Sequence, residues 1–190
     1  SCGGGLSLIP TLTDFTFMEG KKAKLFVNSP NALDGNTTAK CDTSAADFQS
    51  KEAGIVDVVA DEASILSQNR GLVCMLPASN EEDMSFVECT DDLNRACEGL
   101  ENCVGDTSIA LSQIADNGIV FEVKREYAKD MVTGFIKLNG VTVGAVANRS
   151  EIYGEDGKVS EKFDPVLSAA GCEKAADFIN FCDAFEIPVL

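Results

Sequence analysis

Residues 119–148 read IVFEVKREYAKDMVTGFIKLNGVTVGAVAN. Apolar and polar residues alternate through MVTGFIKL (131–138) and VTVGAVAN (141–148), which predicts two strands. Asn139-Gly140 lies between them. Asn and Gly tolerate the positive φ that both central positions of a two-residue hairpin turn require, so the two strands are predicted to pair antiparallel. Working upstream, TSIALSQIADNG (107–118) predicts a helix that stops at Asn117-Gly118. Downstream, EIYGEDGKVSEKFDP (151–165) reads as a polar excursion. CEKAADFINFCDAFEIPVL (172–190) then predicts a helix over about 172–186 with Ala175, Phe178, Ile179, Cys182 and Phe185 on its inner face. Glu173, Lys174 and Asp177 are expected to face water. Pro188 ends the helix, and IPVL begins another strand.

The first part of the chain also mixes strand and helix signals. SCGGGLSLIPTLTDFTFMEG (1–20) opens on three glycines and runs directly into an apolar element. Leu6, Ser7, Leu8 and Ile9 can start a helix if Pro10 falls in its first turn. DFTFM (14–18), AKLFVN (23–28) and GIVDVV (54–59) read as strands, the second stopped by Ser29-Pro30. DEASILSQNRGLVCML (61–76) places Ala63, Ile65, Leu66, Leu72, Val73 and Leu76 near helical spacing, with Asp61 as N-cap. Residues 81–106 change character. Glu81, Glu82, Asp83, Glu88, Asp91, Asp92, Glu98, Glu101 and Asp106 stand against Arg95 alone. That imbalance reads as a solvated linker. The expected division is 1–79, an acidic linker at 80–106, and 107–190.

The 190 residues are 45% hydrophobic and 24% charged, the balance of a globular protein. The formal net charge of −16 disfavours a phosphate backbone or an anionic membrane face as partner. No apolar run reaches the roughly 20 residues of a spanning helix. Eight cysteines are expected as reduced thiols, which fits a cytoplasmic location. Cys74 and Cys182 sit inside apolar runs and read as small buried hydrophobes. Cys89, Cys97 and Cys103 match no CxxC knuckle, and with no His in the chain no metal site is expected.

The absence of His also excludes Ser-His and Cys-His nucleophile pairs. No GxxxxGK[ST] loop is present. CGGGLS can be a flexible terminus, a tight turn, or a cradle of backbone N–H groups for an anion. The last of these suits a thioester oxygen on its way to an enolate.

The order of a glycine turn, a helix and the strands DFTFM, KLFVNSP and GIVDVV resembles the later part of a crotonase (ClpP-like) domain. The second half narrows the match. VFEVKREYAKDMVTGFIKLNGVTVGAVAN and KAADFINFCDAFEIPVL are similar to segments of the biotin-dependent acyl-CoA carboxyltransferases, and the resemblance covers nearly the whole chain. It implies an α/β fold of the ββα spiral type, with the end of a first crotonase-like domain (1–79) and the start of a second (107–190). It implies that C-[AG]-G-G closes an oxyanion hole, which carries a catalytic role over to the backbone N–H groups of Gly4 and Gly5. The chain is then expected to be one piece of a longer subunit, without the second domain's own glycine turn, which in the family faces biotin.

The activity so implied is carboxyl transfer between biotin and an acyl-CoA of the propionyl/methylmalonyl, acetyl/malonyl or glutaconyl type. The implied partners are acyl-CoA, a biotin carboxyl carrier protein and membrane-linked decarboxylase subunits. The intact subunit is expected to be a homo-oligomer whose active site spans two chains. The chain departs from the family pattern in three places. DFQSKEAGIVDVV carries no His, VNSPNALDG stands where many members have ITGP, and EIYGEDGKVSEKFDPVLSAAG replaces a short connection. These departures point to a divergent branch. Two rival readings stay open at this point: a crotonase-type hydratase or isomerase, which needs a carboxylate at the hole, and a non-catalytic fragment.

Overall fold

The structure is a computed structural model that describes residues 1–81, 86–103, 105–154 and 156–190. Residues 82–85 and 104, which fall in the predicted acidic linker, and residue 155 lie outside the described residues. Two compact units emerge, Ser1–Gly71 with Lys124–Tyr127, and Leu72–Val123 with Ala128–Leu190.

In the first unit, β1 (Cys2–Gly3) pairs parallel with β3 (Leu25–Phe26), and β2 (Phe17–Glu19) pairs parallel with β4 (Val58–Ala60). Parallel partners cannot be joined by a tight turn, so each pair needs a crossover. One crossover contains α1 (Leu8–Thr11); the longer one contains α2 (Ala46–Lys51). Met18, Leu25, Ala46 and Val56 form the buried centre of this unit, with Cys2, Ala23, Ile55 and Val59 packed around it. The strands are shorter than the alternation predicts: AKLFVN contributes only Leu25–Phe26 to a strand. α3 (Glu62–Val73) begins at its predicted cap. Asp61 Oδ1 accepts from the N–H groups of Ala63 and Ser64, each at 3.1 Å. Of its predicted apolar set Leu72 is buried, while Leu66 and Val73 stand exposed. The same register places Cys74 at the surface, against expectation, because Leu72 and Met75 take the inward positions at the helix end.

The second unit is built on an antiparallel meander of β5 (Val120–Val123), β6 (Met131–Leu138) and β7 (Val141–Asn148). β6 and β7 occupy the predicted residues, and Leu138 pairs with Val141 across the turn. Asn139 and Gly140 have φ of 51° and 79°, as a two-residue hairpin turn demands. Only glycine fits at 140, since a Cβ there would lie 1.8 Å from the Val87 carbonyl oxygen. Asp116 clamps the turn by accepting from the Asn139 and Gly140 N–H groups at 3.0 and 2.6 Å.

Both faces of this sheet are covered. Val132, Ile136 and Ala145 pack on Leu111 and Ala115 at α4 (Thr107–Ile114). Phe135, on the opposite face of β6, meets Phe178 and Phe181 of α5 (Ala169–Ala184), with ring centroids 4.9 and 5.9 Å away. The chain end runs parallel to β7: Gly144 N–H donates to Pro188 O, and Leu190 N–H to Gly144 O, both at 2.8 Å. The predicted polar excursion contains a hairpin, β8 (Glu151–Tyr153) with β9 (Val159–Lys162). Every β9 residue is exposed, so burial alternation does not mark it.

α5 corrects two side-chain expectations. Its buried stripe is Gly171, Lys174, Ala175, Phe178 and Cys182, while Ile179 is 43% exposed. Lys174, predicted to face water, is 1% exposed and donates from Nζ to the Met131 carbonyl at 2.7 Å. Gly171 makes this possible. A Cβ there would lie 2.9 Å from Asp130 Oδ2 and 3.3 Å from Met131 Cβ, so its absence lets the helix start close against β6. The whole stripe is rotated towards 174, and Phe185 is only half-buried, stacked on Phe181 at 4.6 Å.

The cysteines divide by environment. Cys41, Cys74 and Cys172 are exposed, whereas Cys182 is buried and desolvation pushes its thiol up to about 11. A maleimide at about pH 8 is expected to modify the three exposed thiols in the native protein and Cys182 only after denaturation. Rapid native labelling of Cys182 would mean that α5 does not pack on the sheet.

Candidate functional site

The glycine turn lies where β1 leaves its sheet. Cys2 N–H donates to Lys24 O at 2.8 Å, which registers β1 against β3. The chain then reverses through a tight 3-10 turn, Gly4–Ser7, and enters α1. Gly4 adopts φ of +63°, a conformation that a side chain disfavours, and Gly5 follows with negative φ. A Cβ on either glycine would meet nothing within 4 Å. The backbone of Gly4 and Gly5 is therefore open to close approach by a ligand atom. The predicted sequence of tight turn and helix is present; Pro10 sits inside α1.

Three residues that the sequence did not single out hold this turn. Ser7 is 4% exposed, and its hydroxyl donates to the Gly4 carbonyl at 2.7 Å. Thr16 donates from Oγ1 to Pro10 O at 3.0 Å, fastening the end of α1. Asp57, buried at the start of β4, accepts from Thr16 N–H at 2.6 Å and so ties that fastening to the sheet. The signal for Asp57 was legible: an acid inside the β-branched run GIVDVV must find donors. Ser7 carried no such mark.

Beside β1, a cleft of about 130 Å³ is lined by residues that include Cys2, Pro10, Thr16, Met18 and Lys24, but neither Gly4 nor Gly5. Its one carboxylate belongs to Glu19, which accepts from the Lys22 and Lys21 N–H groups at 2.5 and 3.1 Å. Those bonds hold the Glu19 carboxyl below the usual carboxylate range. It is a structural anion, not an acid tuned towards neutrality.

Other charged groups serve packing. Arg149 is 5% exposed between Asp106 and Glu122, at 3.7 and 3.4 Å, and donates from Nε to the Lys129 carbonyl. Arg95, the one cation of the acidic stretch, donates to Gln113 O, Ala115 O and Asp91 Oδ2 at 2.5, 2.8 and 2.9 Å. It thereby docks residues 91–95 onto the end of α4. Hydrogen bonding from Arg95 lowers the Asp91 carboxyl below its usual range. Among the described residues no cluster of three or more His, Cys, Asp or Glu could hold a metal ion, and no helix is long and apolar enough to cross a membrane.

The carboxyl transferase domain family matches residues 1–190. The chain is 32% identical over 200 residues to the carboxyltransferase subunit of propionyl-CoA carboxylase from Haloferax mediterranei, covering 100% of this chain and 37% of that protein. It is 33% identical over 201 residues to the methylmalonyl-CoA carboxyltransferase 12S subunit of Propionibacterium freudenreichii subsp. shermanii, covering 100% and 36%. The solved structure of a transcarboxylase 12S hexamer with hydrolysed methylmalonyl-coenzyme A superposes with a TM-score of 0.83 at 31% identity, over 99% of this chain and 36% of that one. A single-chain, multi-domain long-chain acyl-CoA carboxylase shares the fold at a TM-score of 0.70 and 20% identity, over 99% and 18%. The chain thus spans little more than a third of the curated relatives it matches.

Proposed function

The chain belongs to the carboxyl transferase domain family, and from that membership we propose that the protein carrying it moves a carboxyl group between biotin and an acyl-CoA. The fold is the α/β crotonase type of these carboxyltransferases. The observation that carries the functional reading is the match along all of residues 1–190 to part of the carboxyltransferases of propionyl- and methylmalonyl-CoA, and those acyl groups are the proposed substrates.

Gly4 and Gly5 are the proposed catalytic positions, acting through their backbone N–H groups. Moving a carboxyl group to or from the α-carbon puts negative charge on the thioester oxygen. Preorganised N–H donors stabilise that charge without a side-chain base, which agrees with a chain that has no His. At both glycines the space that a side chain would take is open. Biotin, when bound, supplies the carrier of the carboxyl group. The sheet glycines of the second unit do not fit it: a Cβ at Gly134 would meet Phe121 O at 2.5 Å, and one at Gly144 would meet Cys182 Sγ at 2.7 Å. No step through biotin is assigned to residues 1–190. A biotin carboxyl carrier protein, further copies of the subunit and decarboxylase subunits at a membrane are the proposed partners, in the cytoplasm.

A hydratase or isomerase needs a carboxylate at the hole; Glu19, the carboxylate of the cleft beside β1, is occupied by backbone donors, and neither Gly4 nor Gly5 lines that cleft. The test is to supply methylmalonyl-CoA and biotin to the natural polypeptide that carries residues 1–190. Carboxylation of biotin with formation of propionyl-CoA is the expected result. No carboxylation of biotin, beside hydration of a separately supplied enoyl-CoA, would overturn the proposal.

A further inference from the structure

We propose that Ser7 is a positioning residue that aims the Gly5 N–H at the thioester oxygen. The inference rests on the reading of Gly5 as an oxyanion donor and goes beyond it by naming the group that orients the donor. The Ser7 hydroxyl donates to the Gly4 carbonyl oxygen at 2.7 Å. That carbonyl and the Gly5 N–H belong to one peptide unit, which is planar and trans. In such a unit the C=O and N–H point in opposite directions. Whatever holds the carbonyl therefore sets the direction of the N–H.

The burial pattern gives that direction a meaning. Ser7 is 4% exposed and Gly5 is exposed, so the carbonyl is held by a buried hydroxyl, and the opposed N–H is proposed to face the open side of the turn. A clamp is needed here because glycine on both sides gives this peptide more rotational freedom than any other pair of residues. Gly4 at φ of +63° has no Cβ to limit the flip of the unit, and no neighbouring atom lies within 4 Å of where one would be. A donor that wanders must reorganise at each turnover, whereas a fixed donor stabilises the developing charge at no such cost. Ser7 acts through Gly5 and does not touch the substrate.

The experiment compares Ser7→Ala, Ser7→Thr and Gly5→Pro in the natural polypeptide, with methylmalonyl-CoA and biotin as substrates. Loss of an oxyanion donor lowers kcat by about 10²- to 10³-fold, so loss of its orientation alone is expected to cost less, about tenfold for Ser7→Ala. The KM for methylmalonyl-CoA is expected to stay within about twofold, because ground-state binding does not depend on this hydrogen bond. Ser7→Thr keeps the hydroxyl and is expected to retain at least about half of kcat. Should Ser7→Ala fail to assemble, Ser7→Cys keeps the volume with a weaker donor and is expected to lower kcat in the same direction. An unchanged kcat in the Ala or Cys variant overturns the inference, as does an equal loss in Ala and Thr, or a raised KM with normal kcat. The two readings fail separately. Full activity in Gly5→Pro overturns the donor reading, while an inactive Gly5→Pro beside a fully active Ser7→Ala overturns only the positioning role.

Discussion

Replacing Phe178 with alanine is expected to destabilise the protein by about 3–5 kcal/mol, the range for deleting a buried aromatic ring. Phe178 is 5% exposed and its ring centroid lies 4.9 Å from that of Phe135, itself fully buried in β6. The ring also sits over Gly144 of β7, where an added Cβ would come within 3.2 Å of Phe178 Cε1. Ring and glycine are thus fitted to one another, and truncation leaves a cavity walled by a two-sided sheet that cannot collapse into it. Ile179, one residue on, is 43% exposed, and Ile179→Ala is expected to cost under about 1 kcal/mol. Chemical denaturation of the two variants in the natural polypeptide checks the pair. A midpoint unchanged by Phe178→Ala would mean that α5 does not pack its ring on the sheet, and a larger loss from Ile179→Ala would return Ile179 to the inner face that residue spacing predicts.

Gly5→Pro is expected to lower kcat for carboxyl transfer by about 10²- to 10³-fold, equivalent to roughly 3–4 kcal/mol of transition-state stabilisation. Proline deletes the N–H, and its ring also restricts the preceding residue, Gly4, whose lack of a Cβ eases that restriction. Gly5 has negative φ, lies in the first turn of its element and has nothing within 4 Å of a side chain built upon it. These are the conditions under which proline is tolerated. The loss should fall on kcat and on kcat/KM alike, since the thioester oxygen carries most of its charge only in the transition state. Steady-state kinetics together with thermal melting separates this from misfolding: activity must fall while the melting transition stays in place. A variant that melts normally and turns over at the parental rate removes Gly5 from the reaction.

The two halves of the chain were legible to different degrees, and the reason is the distance over which their structure is specified. The 131–148 hairpin was readable residue for residue because its determinants are local. Side-chain alternation sets the faces, and Asn139-Gly140 supplies the positive φ values of the turn. The strands of the first unit pair parallel with partners far along the chain, Phe17 with Val58 and Cys2 with Leu25. Their lengths depend on how much of each partner comes into reach, which no window of sequence reports. The β8–β9 hairpin was missed for another reason: its outer strand is exposed along its length, so hydrogen bonding holds it and no burial pattern marks it.

The sequence by itself determined the family, the hairpin, the capped start of α3 at Asp61 and the glycine turn at Gly4 and Gly5, because each is written in residues adjacent or nearly adjacent in the chain. Only the tertiary structure decided which face of α5 is inward. Helical spacing predicts Ile179 in the stripe and Lys174 in water; the close approach at Gly171, with the Met131 carbonyl as acceptor, puts Lys174 inside instead. Only the tertiary structure joined Asp57 and Thr16 to the end of α1 and buried Ser7 beneath the Gly4 carbonyl. A buried polar group is specified by the partner that satisfies it, and that partner becomes its neighbour only once the chain has folded.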